Sequence, residues 1–331
     1  MKEAMPKFRC QGRQLFFAYQ LIGCTYNLPL FSCIVEERLE SILEVEISMS
    51  TIILSTESGA DLSADLAEEL NVQVVPMHVI MNGQDYLDGT LPVENIYEHY
   101  NQTKKIPSTS ATNVHEYQEF FTRIKEDFPG CTIVHVGYTS KASSSFQNAV
   151  IASEEMENVF LVDALNVTGG LGAIVLYAAD LLKKNPEIEP GSLVEKIEGV
   201  VPKSRLAFVP GSLEFLRAGG RVSNLAYLGG ALLKIKPRIE LKDGKLVSTK
   251  KYRGSMEGIA EKLFRDYLSE YEIDRKQLYL IYSVGLDEEI KRRMDEIAKE
   301  NHFENIKWIQ AGAMISSHAG PGGFGVAGLE V

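Results

Sequence analysis

The amino-acid sequence predicts an α/β protein with two domains: an N-terminal domain on an open parallel sheet, and a C-terminal α/β domain with a mostly antiparallel sheet. Three observations support this class. In the first half, short apolar strands end in loops of Ser, Thr or Asp that open helices. In the second half, a hairpin is interleaved with helices and further strands. The length of 331 residues exceeds what one hydrophobic core usually supports.

The first element is a short apolar strand at residues 50–54, which is followed by a polar turn. Asp61 then precedes a helical pattern of leucines. The β-rich stretch 72–81 ends at Asn82-Gly83, a pair that is typical of a two-residue hairpin. A pair of strands is therefore expected after the first strand and helix.

Amphipathic helices are predicted at 93–103 and 113–127, with the polar loop 106–112 between them. Two further apolar strands, 132–136 and 159–163, each lead through a polar loop into a helix. This alternation is typical of an open parallel sheet, whose ligand crevice lies at the carboxyl ends of the strands.

The second half is predicted to pack helices on a mostly antiparallel sheet. Asp243-Gly244 marks the turn of its hairpin. The segment 316–326 is rich in glycine and proline, so we expect His318 to lie on a bent loop. The predicted elements are a strand at 206–209, helices at 212–217 and 224–233, hairpin strands at 235–241 and 246–252, a helix at 257–271, a strand at 277–284, a helix at 288–301 and a strand at 306–310.

The domains are expected at 49–165 and 166–331, because the first strand begins directly after Met49. Residues 1–48, which we call the leader, are expected to be non-native or unstructured. A packed extension and a targeting segment are the alternatives for the leader, since it contains an apolar stretch at 14–35.

Composition and charge exclude several classes of protein. A net charge of −11 argues against a nucleic-acid or anionic-membrane surface, because those partners require clustered Lys and Arg. Asn27 and Pro29 interrupt the apolar stretch of the leader, so no stable membrane span is expected. Beyond the leader, Cys131 is the only cysteine, which favours a reducing, cytoplasmic compartment.

No metal and no cofactor are expected. The six histidines lack the spacing of a zinc site, and there is no CxxC pair. The glycines at 169–172 match neither a dinucleotide fingerprint nor a P-loop. The hydroxyl-rich loop 138–145 carries no G-x-S-x-G elbow. It precedes a helix, where hydroxyls either cap the helix or bind an anion, and the sequence leaves both functions open.

Eight short motifs occur in one order along the chain. They are Ser-Thr-Glu-Ser at 55–58, Val-Val-Pro-Met at 74–77, Tyr-Leu-Asp-Gly at 86–89, Pro-Ser-Thr-Ser at 107–110, Ser-Lys-Ala-Ser-Ser-Ser at 140–145, Arg-Ala-Gly-Gly-Arg at 217–221, Ile-Lys-Pro at 235–237 and His-Ala-Gly-Pro-Gly at 318–322. Together they resemble the DegV family of bacterial fatty-acid-binding proteins, the acyl-presenting subunits of fatty acid kinase. The resemblance covers nearly all of the chain beyond the leader. It implies the DegV-like two-domain fold, with a lipid bound between the domains.

The resemblance also implies how the lipid is held. The hydroxyls of Thr109 and Ser143, with His318 as a third donor, are expected to bind the carboxylate of a long-chain fatty acid. The protein is expected to be a carrier without catalysis of its own. Its implied partner is a dihydroxyacetone-kinase-like, ATP-binding kinase subunit, which would phosphorylate the carboxylate and so supply phospholipid synthesis.

Further residues are assigned to the lipid tail and to the kinase. Leu225, Leu228 and Leu232 are candidates for the wall of the acyl pocket. Arg221 and Arg253 match arginines that face the kinase or the acyl phosphate in the family. Burial of each methylene contributes roughly 0.8 kcal/mol, so the tail is expected to supply most of the affinity.

The chain departs from the family pattern at Glu57, where Asp is usual, and at Ser144, where Gly is typical. Two other functions stay open on the sequence alone. A serine-type lipid hydrolase would use Ser143 or Ser140 with His318. A carrier of another amphiphile, such as an isoprenoid or a flavonoid, would use the same pocket.

Overall fold

The first half of the chain forms two sheets. The structure, a computed structural model, describes residues 51–223 and 235–331. The strands of this half are β1 (Ile52–Glu57), β2 (Val72–Val75), β3 (His78–Met81), β4 (Gln84–Leu87), β5 (Ser108–Ser110), β6 (Thr132–Gly137) and β7 (Val159–Asp163). A parallel sheet has the order β2–β1–β6–β7, and a small antiparallel sheet has the order β4–β3–β5. Every residue of β6 is buried, as in a parallel strand covered on both faces. The predicted open parallel sheet is therefore confirmed.

Two predictions concern the small antiparallel sheet: the predicted hairpin is confirmed, and the predicted polar loop is partly wrong. Asn82 and Gly83 join β3 to β4 with φ of 55° and 76°, the left-handed pair that a tight hairpin needs. The polar loop predicted at 106–112 is wrong in its centre, because β5 pairs with the free edge of β3, with Thr109 opposite Val79. The backbone of β5 satisfies that edge, and its polar side chains give no local sign of the pairing.

The helices of the first half follow the predicted pattern, with one addition. Asn113 caps the helix Val114–Asp127, α3, through a capping box. The Asn113 side chain accepts a hydrogen bond from Glu116 N, and the Glu116 carboxylate accepts one from Asn113 N. The helix Pro190–Val200, α6, was not predicted, although Pro190 stands at its first position, where proline is favoured. The helices are α1 (Ala64–Glu69), α2 (Val93–Thr103), α3 (Val114–Asp127), α4 (Ser145–Ser153), α5 (Thr168–Lys184) and α6 (Pro190–Val200).

A six-stranded sheet organises the second half of the chain. Its strands are β8 (Ser204–Val209), β9 (Ile235–Lys242), β10 (Lys245–Arg253), β11 (Gln277–Tyr282), β12 (Asn305–Gln310) and β13 (Phe324–Leu329), in the order β10–β9–β8–β13–β11–β12. Within this sheet β11 and β12 are parallel, and the other neighbours are antiparallel. The mostly antiparallel sheet and the hairpin at Asp243-Gly244 are thus confirmed.

One of the four helices described in the second half contains His318, which was predicted to lie on a loop. These helices are α7 (Leu213–Gly219), α8 (Met256–Glu270), α9 (Glu288–Glu300) and α10 (Ala313–Ala319). His318 lies in the last turn of α10, so its expected place on a bent loop is wrong. The helix-breaking residues begin only at Gly320, after His318, and nothing in the run from Ala313 to Ala319 opposes a helix. The helix predicted at 224–233 falls on residues that the structure does not describe.

Helix α5 joins the two halves at the largest hydrophobic core. Its residues 168–176 are all buried. A Cβ on Gly169 would lie 2.6 Å from Ile281 Cγ1, so glycine is what allows α5 to approach β11 this closely. The same core includes Val134 of β6 and Ile309 of β12. The division of the chain at residue 165 stays a prediction.

Candidate functional site

A cavity lies where β5, α10 and the hydroxyl-rich loop 138–145 meet the second sheet. The lining is apolar along β8, β11 and β13, with Leu206, Phe208 and Ile281 among its residues. Four residues singled out from the sequence lie on the lining of this same cavity. They are Thr109, Ser143, Arg221 and His318.

Thr109 and His318 are in direct contact, although 209 positions separate them in the chain. Thr109 Oγ1 and His318 Nε2 lie 2.9 Å apart and share a hydrogen bond. Strand β5 supplies Thr109 and helix α10 supplies His318, and the sequence predicted neither of these two elements. The pairing of β5 with β3 places Thr109 at the cavity.

His318 is neutral in this environment. Burial lowers the pKa of His318 to about 4, and the positive charge of Arg221 acts in the same direction. A neutral imidazole donates from one ring nitrogen and accepts at the other. A carboxylate placed beside the ring would raise the pKa of His318, because an anion favours the charged form.

Ser143 lies on the hydroxyl-rich loop at the start of α4. Its Oγ accepts a hydrogen bond from Ser145 N at 3.1 Å. This contact uses an acceptor position on the oxygen and leaves the hydroxyl hydrogen to donate. The amino end of a helix also favours negative charge. Ser143 is thus both a partner of the first turn and a candidate anion donor.

The two arginines occupy different environments. Arg221 lines the cavity, and its Nη1 donates to the carbonyl of Gly219 at 2.7 Å. Arg253 ends β10, is exposed, and lies away from the residues that line the cavity. The structure therefore brings Arg221, and not Arg253, to the lining that holds Thr109 and His318.

Two buried carboxylates, which the sequence did not assign to the site, hold the start of α10. Asp61 Oδ1 accepts from Gly312 N at 2.8 Å, and Asp88 Oδ1 accepts from Met314 N at 3.1 Å. Burial raises the pKa of Asp61 to about 8 and also raises the pKa of Asp88. Asp88 lies within the Tyr-Leu-Asp-Gly motif, and Asp61 follows the Ser-Thr-Glu-Ser motif by three residues. Their partners are more than 200 residues away in the chain, and only folding shows them.

A second cleft is larger but suits an anion less well. It has a volume of about 870 Å³, and its lining carries three acidic residues, Asp61, Asp88 and Glu94, against one basic residue, Lys307, among apolar and neutral polar residues. Carboxylates repel a bound anion when they are ionised. The cavity with Thr109, Arg221 and His318 is therefore the better candidate for an anionic ligand.

A family model described as an uncharacterised protein of the DegV family matches residues 51–330. The chain belongs to the DegV family. A DegV domain-containing protein of Deinococcus radiodurans is 30% identical over 284 residues, which are 84% of this chain and 98% of that protein. The resemblance drawn from the eight motifs is thereby confirmed.

Solved structures of DegV proteins have the same fold. A DegV family protein from Thermus thermophilus, described by its fatty acid binding, is 26% identical with a TM-score of 0.76, over 85% of this chain and all of that one. A stearic acid-binding protein from Eubacterium ventriosum is 21% identical with a TM-score of 0.70, over 85% of this chain and 98% of that one. The latter likeness shows the fold alone.

In this DegV-family protein the cavity is narrow. Its volume is about 90 Å³, whereas pockets that hold drug-sized ligands have roughly 300–1,000 Å³. This volume is smaller than a long acyl chain occupies. The predicted wall residues Leu225, Leu228 and Leu232 lie outside the described residues.

Two further observations concern residues 51–223 and 235–331. No helix in these ranges has the length and apolar character needed to cross a membrane. The same ranges hold no group of three or more His, Cys, Asp or Glu side chains arranged to bind a metal ion.

Proposed function

We propose that this protein binds a long-chain fatty acid in the cavity and presents its carboxylate to an ATP-dependent fatty acid kinase in the cytoplasm. The observation that carries the proposal is the 2.9 Å contact between Thr109 and His318 on the lining of an otherwise largely apolar cavity. The fatty acid binding of the Thermus thermophilus relative supports it. The chain would act as a carrier, without catalysis or a cofactor of its own. The acyl phosphate that the kinase forms would serve phospholipid synthesis.

Neutral donors suit a carboxylate that must later react. The hydroxyls of Thr109 and Ser143 and the neutral ring of His318 position the anion without a tight ion pair, so its oxygen keeps its nucleophilicity toward the γ-phosphate of ATP. Phosphoryl transfer depends mainly on positioning and on charge stabilisation. Arg221 is a cation on the same lining, where it would face the acyl phosphate as it forms.

The acyl tail would supply most of the affinity. About fifteen methylenes at roughly 0.8 kcal/mol each give an upper bound near 12 kcal/mol, from which ordering of the flexible chain subtracts. Phe208, Ile281 and Met314 offer apolar contacts in the described part of the wall. We propose that Leu225, Leu228 and Leu232 complete this wall, and that Arg253 faces the kinase.

The contacts favour a carrier over a serine hydrolase. A hydrolase needs the serine hydroxyl within hydrogen-bond reach of its base. His318 Nε2 is instead bonded to Thr109, and Ser143 Oγ is bonded to Ser145 N. Ester turnover by the purified protein that is abolished by Ser143→Ala or Ser140→Ala would reverse this preference.

The first experiment is a lipid extraction. Protein purified from cells is extracted into organic solvent and the extract is examined by mass spectrometry, and delipidated protein is then reloaded with palmitic acid. We expect one bound fatty acid per chain. A protein that releases no fatty acid and cannot be loaded would overturn the proposal, and an isoprenoid or flavonoid in the extract would identify another amphiphile as the cargo.

The second experiment tests the head-group residues. Thr109→Ala and Ser143→Ala are expected to lower kinase-dependent formation of acyl phosphate about tenfold or more, since one hydrogen bond to a charged group contributes about 1.5–3 kcal/mol. Ser140→Ala is the matched control, because Ser140 lies on the same loop but not on the cavity lining. Equal rates in all three variants would remove Thr109 and Ser143 from the site.

A further inference from the structure

Glu57 is a fully buried carboxylate at the end of β1. Its Oε1 accepts from Tyr117 Oη, and its Oε2 accepts from the backbone N of Tyr138, both at 2.7 Å. His135 Nε2 lies 3.6 Å from Oε2. Burial opposes ionisation of Glu57, but His135 and these donors bring the pKa of Glu57 below its ordinary value. Glu57 is therefore an ionised acceptor at neutral pH.

The direction of the neighbouring hydrogen bonds follows from that charge. An ionised carboxylate only accepts, so the Tyr117 hydroxyl hydrogen points at Glu57. The Tyr117 oxygen must then accept from Ser145 Oγ, which lies 2.9 Å away. Ser145 N in turn donates to Ser143 Oγ at 3.1 Å. Three hydrogen bonds, the last two joined through the covalent frame of Ser145, thus connect Glu57 to the hydroxyl of Ser143.

The same carboxylate holds both ends of the hydroxyl-rich loop. The loop begins at Tyr138, whose backbone Glu57 binds directly, and it ends at Ser145, which Glu57 reaches through Tyr117. Glu57, Tyr117 and Ser145 all have an exposed fraction of 0%. Hydrogen bonds to a charge in such a dry environment are stronger than neutral bonds in water.

We propose that Glu57 and Tyr117 are positioning residues, which fix the hydroxyl-rich loop so that the Ser143 hydroxyl donates to a carboxylate in the cavity. The inference rests on the proposed function, because it concerns how that ligand's charged end is held. Glu57 and Tyr117 do not line the cavity. Tyr117 is connected to the ligand through Ser145 and Ser143, whereas Glu57 also holds the backbone of Tyr138, which lines the cavity. A change at Tyr117 is therefore separable from an effect on the apolar tail.

The test compares a fatty acid with the alcohol of the same chain length. Dissociation constants of palmitic acid and 1-hexadecanol are measured by displacement of a fluorescent fatty acid, and their ratio reports how much more tightly the site holds a carboxylate than a hydroxyl on the same chain. Tyr117→Phe should lower the preference for the acid roughly threefold to tenfold, the effect of one hydrogen bond. It should leave the affinity for the alcohol unchanged.

Tyr267→Phe is the matched control. Tyr267 is equally buried, and its hydroxyl donates to the carbonyl of Arg205 at 3.0 Å. Its loss lowers stability but should not change the preference for the acid. Ser145→Ala cuts the same chain of hydrogen bonds on the other side of Tyr117, and it should reproduce Tyr117→Phe if that variant folds poorly.

The outcomes separate the inference from the proposed function. In the double variant Tyr117→Phe with Ser143→Ala, the preference should fall no further than in Ser143→Ala alone. Two results would overturn the inference, provided that Ser143→Ala alone still lowers the preference for the acid. One is full additivity of the effects of Tyr117→Phe and Ser143→Ala in the double variant. The other is wild-type preference in both Tyr117→Phe and Ser145→Ala. A wild-type protein that binds neither probe would overturn the proposed function itself.

Discussion

Gly219 is expected to be indispensable to the position of His318, and Gly219→Ala tests this. A Cβ built on Gly219 would lie 2.1 Å from His318 Nδ1, where ordinary contact begins near 3.4 Å, so the ring must move by about 1.3 Å. Thr109 stands 2.9 Å from the other nitrogen of the ring. A hydrogen bond tolerates only a few tenths of an ångström, so a shift of this size breaks the contact.

The expected cost can be estimated from three effects. Overpacking costs about 1–3 kcal/mol, and the lost hydrogen bond costs about 0.5–1.5 kcal/mol. The replacement of glycine by alanine stabilises a helix by about 0.5–1 kcal/mol, which offsets part of these costs. We therefore expect Gly219→Ala to lower the free energy of unfolding by about 0.5–4 kcal/mol and to reduce the preference for palmitic acid over 1-hexadecanol.

Gly199→Ala provides the control for helix propensity. Gly199 is exposed on α6, and a Cβ there would meet no atom within 4 Å. This variant should gain about 0.5–1 kcal/mol and bind both probes normally. Urea unfolding and the two dissociation constants are measured side by side. If Gly219→Ala behaves as Gly199→Ala does, His318 is not held by the contact described above.

Two further predictions concern buried charge. The pKa of His318 is about 4 in the folded protein and 6.5 ordinarily. Below pH 6.5 the unfolded chain therefore binds a proton at this residue that the folded protein does not bind, which stabilises the unfolded chain. Between pH 7 and pH 4 the wild type should lose on the order of 3 kcal/mol more than His318→Gln in urea unfolding, and parallel pH profiles would contradict this. Arg238, fully buried, contacts Glu240 at 2.6 Å, and Arg238→Met should cost about 3–5 kcal/mol because the buried carboxylate of Glu240 loses its cationic partner. Lys250→Met, at a side chain 42% exposed, should cost less than about 1 kcal/mol, and an equal loss in both would refute the role of burial.

The site shows why the sequence left two functions open for the hydroxyl-rich loop. Capping and anion binding are alternatives on the local pattern, but Ser143 has the geometry for both. Its oxygen accepts from Ser145 N at the start of α4, and it also lines the cavity. One hydroxyl has acceptor and donor positions, so local pattern alone cannot distinguish the two uses.

Elements with local signals could be predicted, and those fixed by distant partners could not. The buried strand β6 and the hairpin turn at Asn82-Gly83 depend on residues that are neighbours in sequence. Strand β5 exists because β3 offers an edge about thirty residues away. The place of His318 on α10 is locally consistent, but the glycines that follow it obscured the helix.

The sequence by itself determined the α/β class, the two kinds of sheet, the DegV family resemblance and the identity of the candidate polar residues. These follow from periodicity, turn chemistry and ordered motifs, all of which are local. Only the tertiary structure decided that Thr109 meets His318, that Gly219 leaves room for the ring, and that buried Glu57 anchors the loop of Ser143. The physical reason is that a hydrogen bond or a close approach between residues 81 to 209 positions apart depends on how elements pack, and no local pattern shows it.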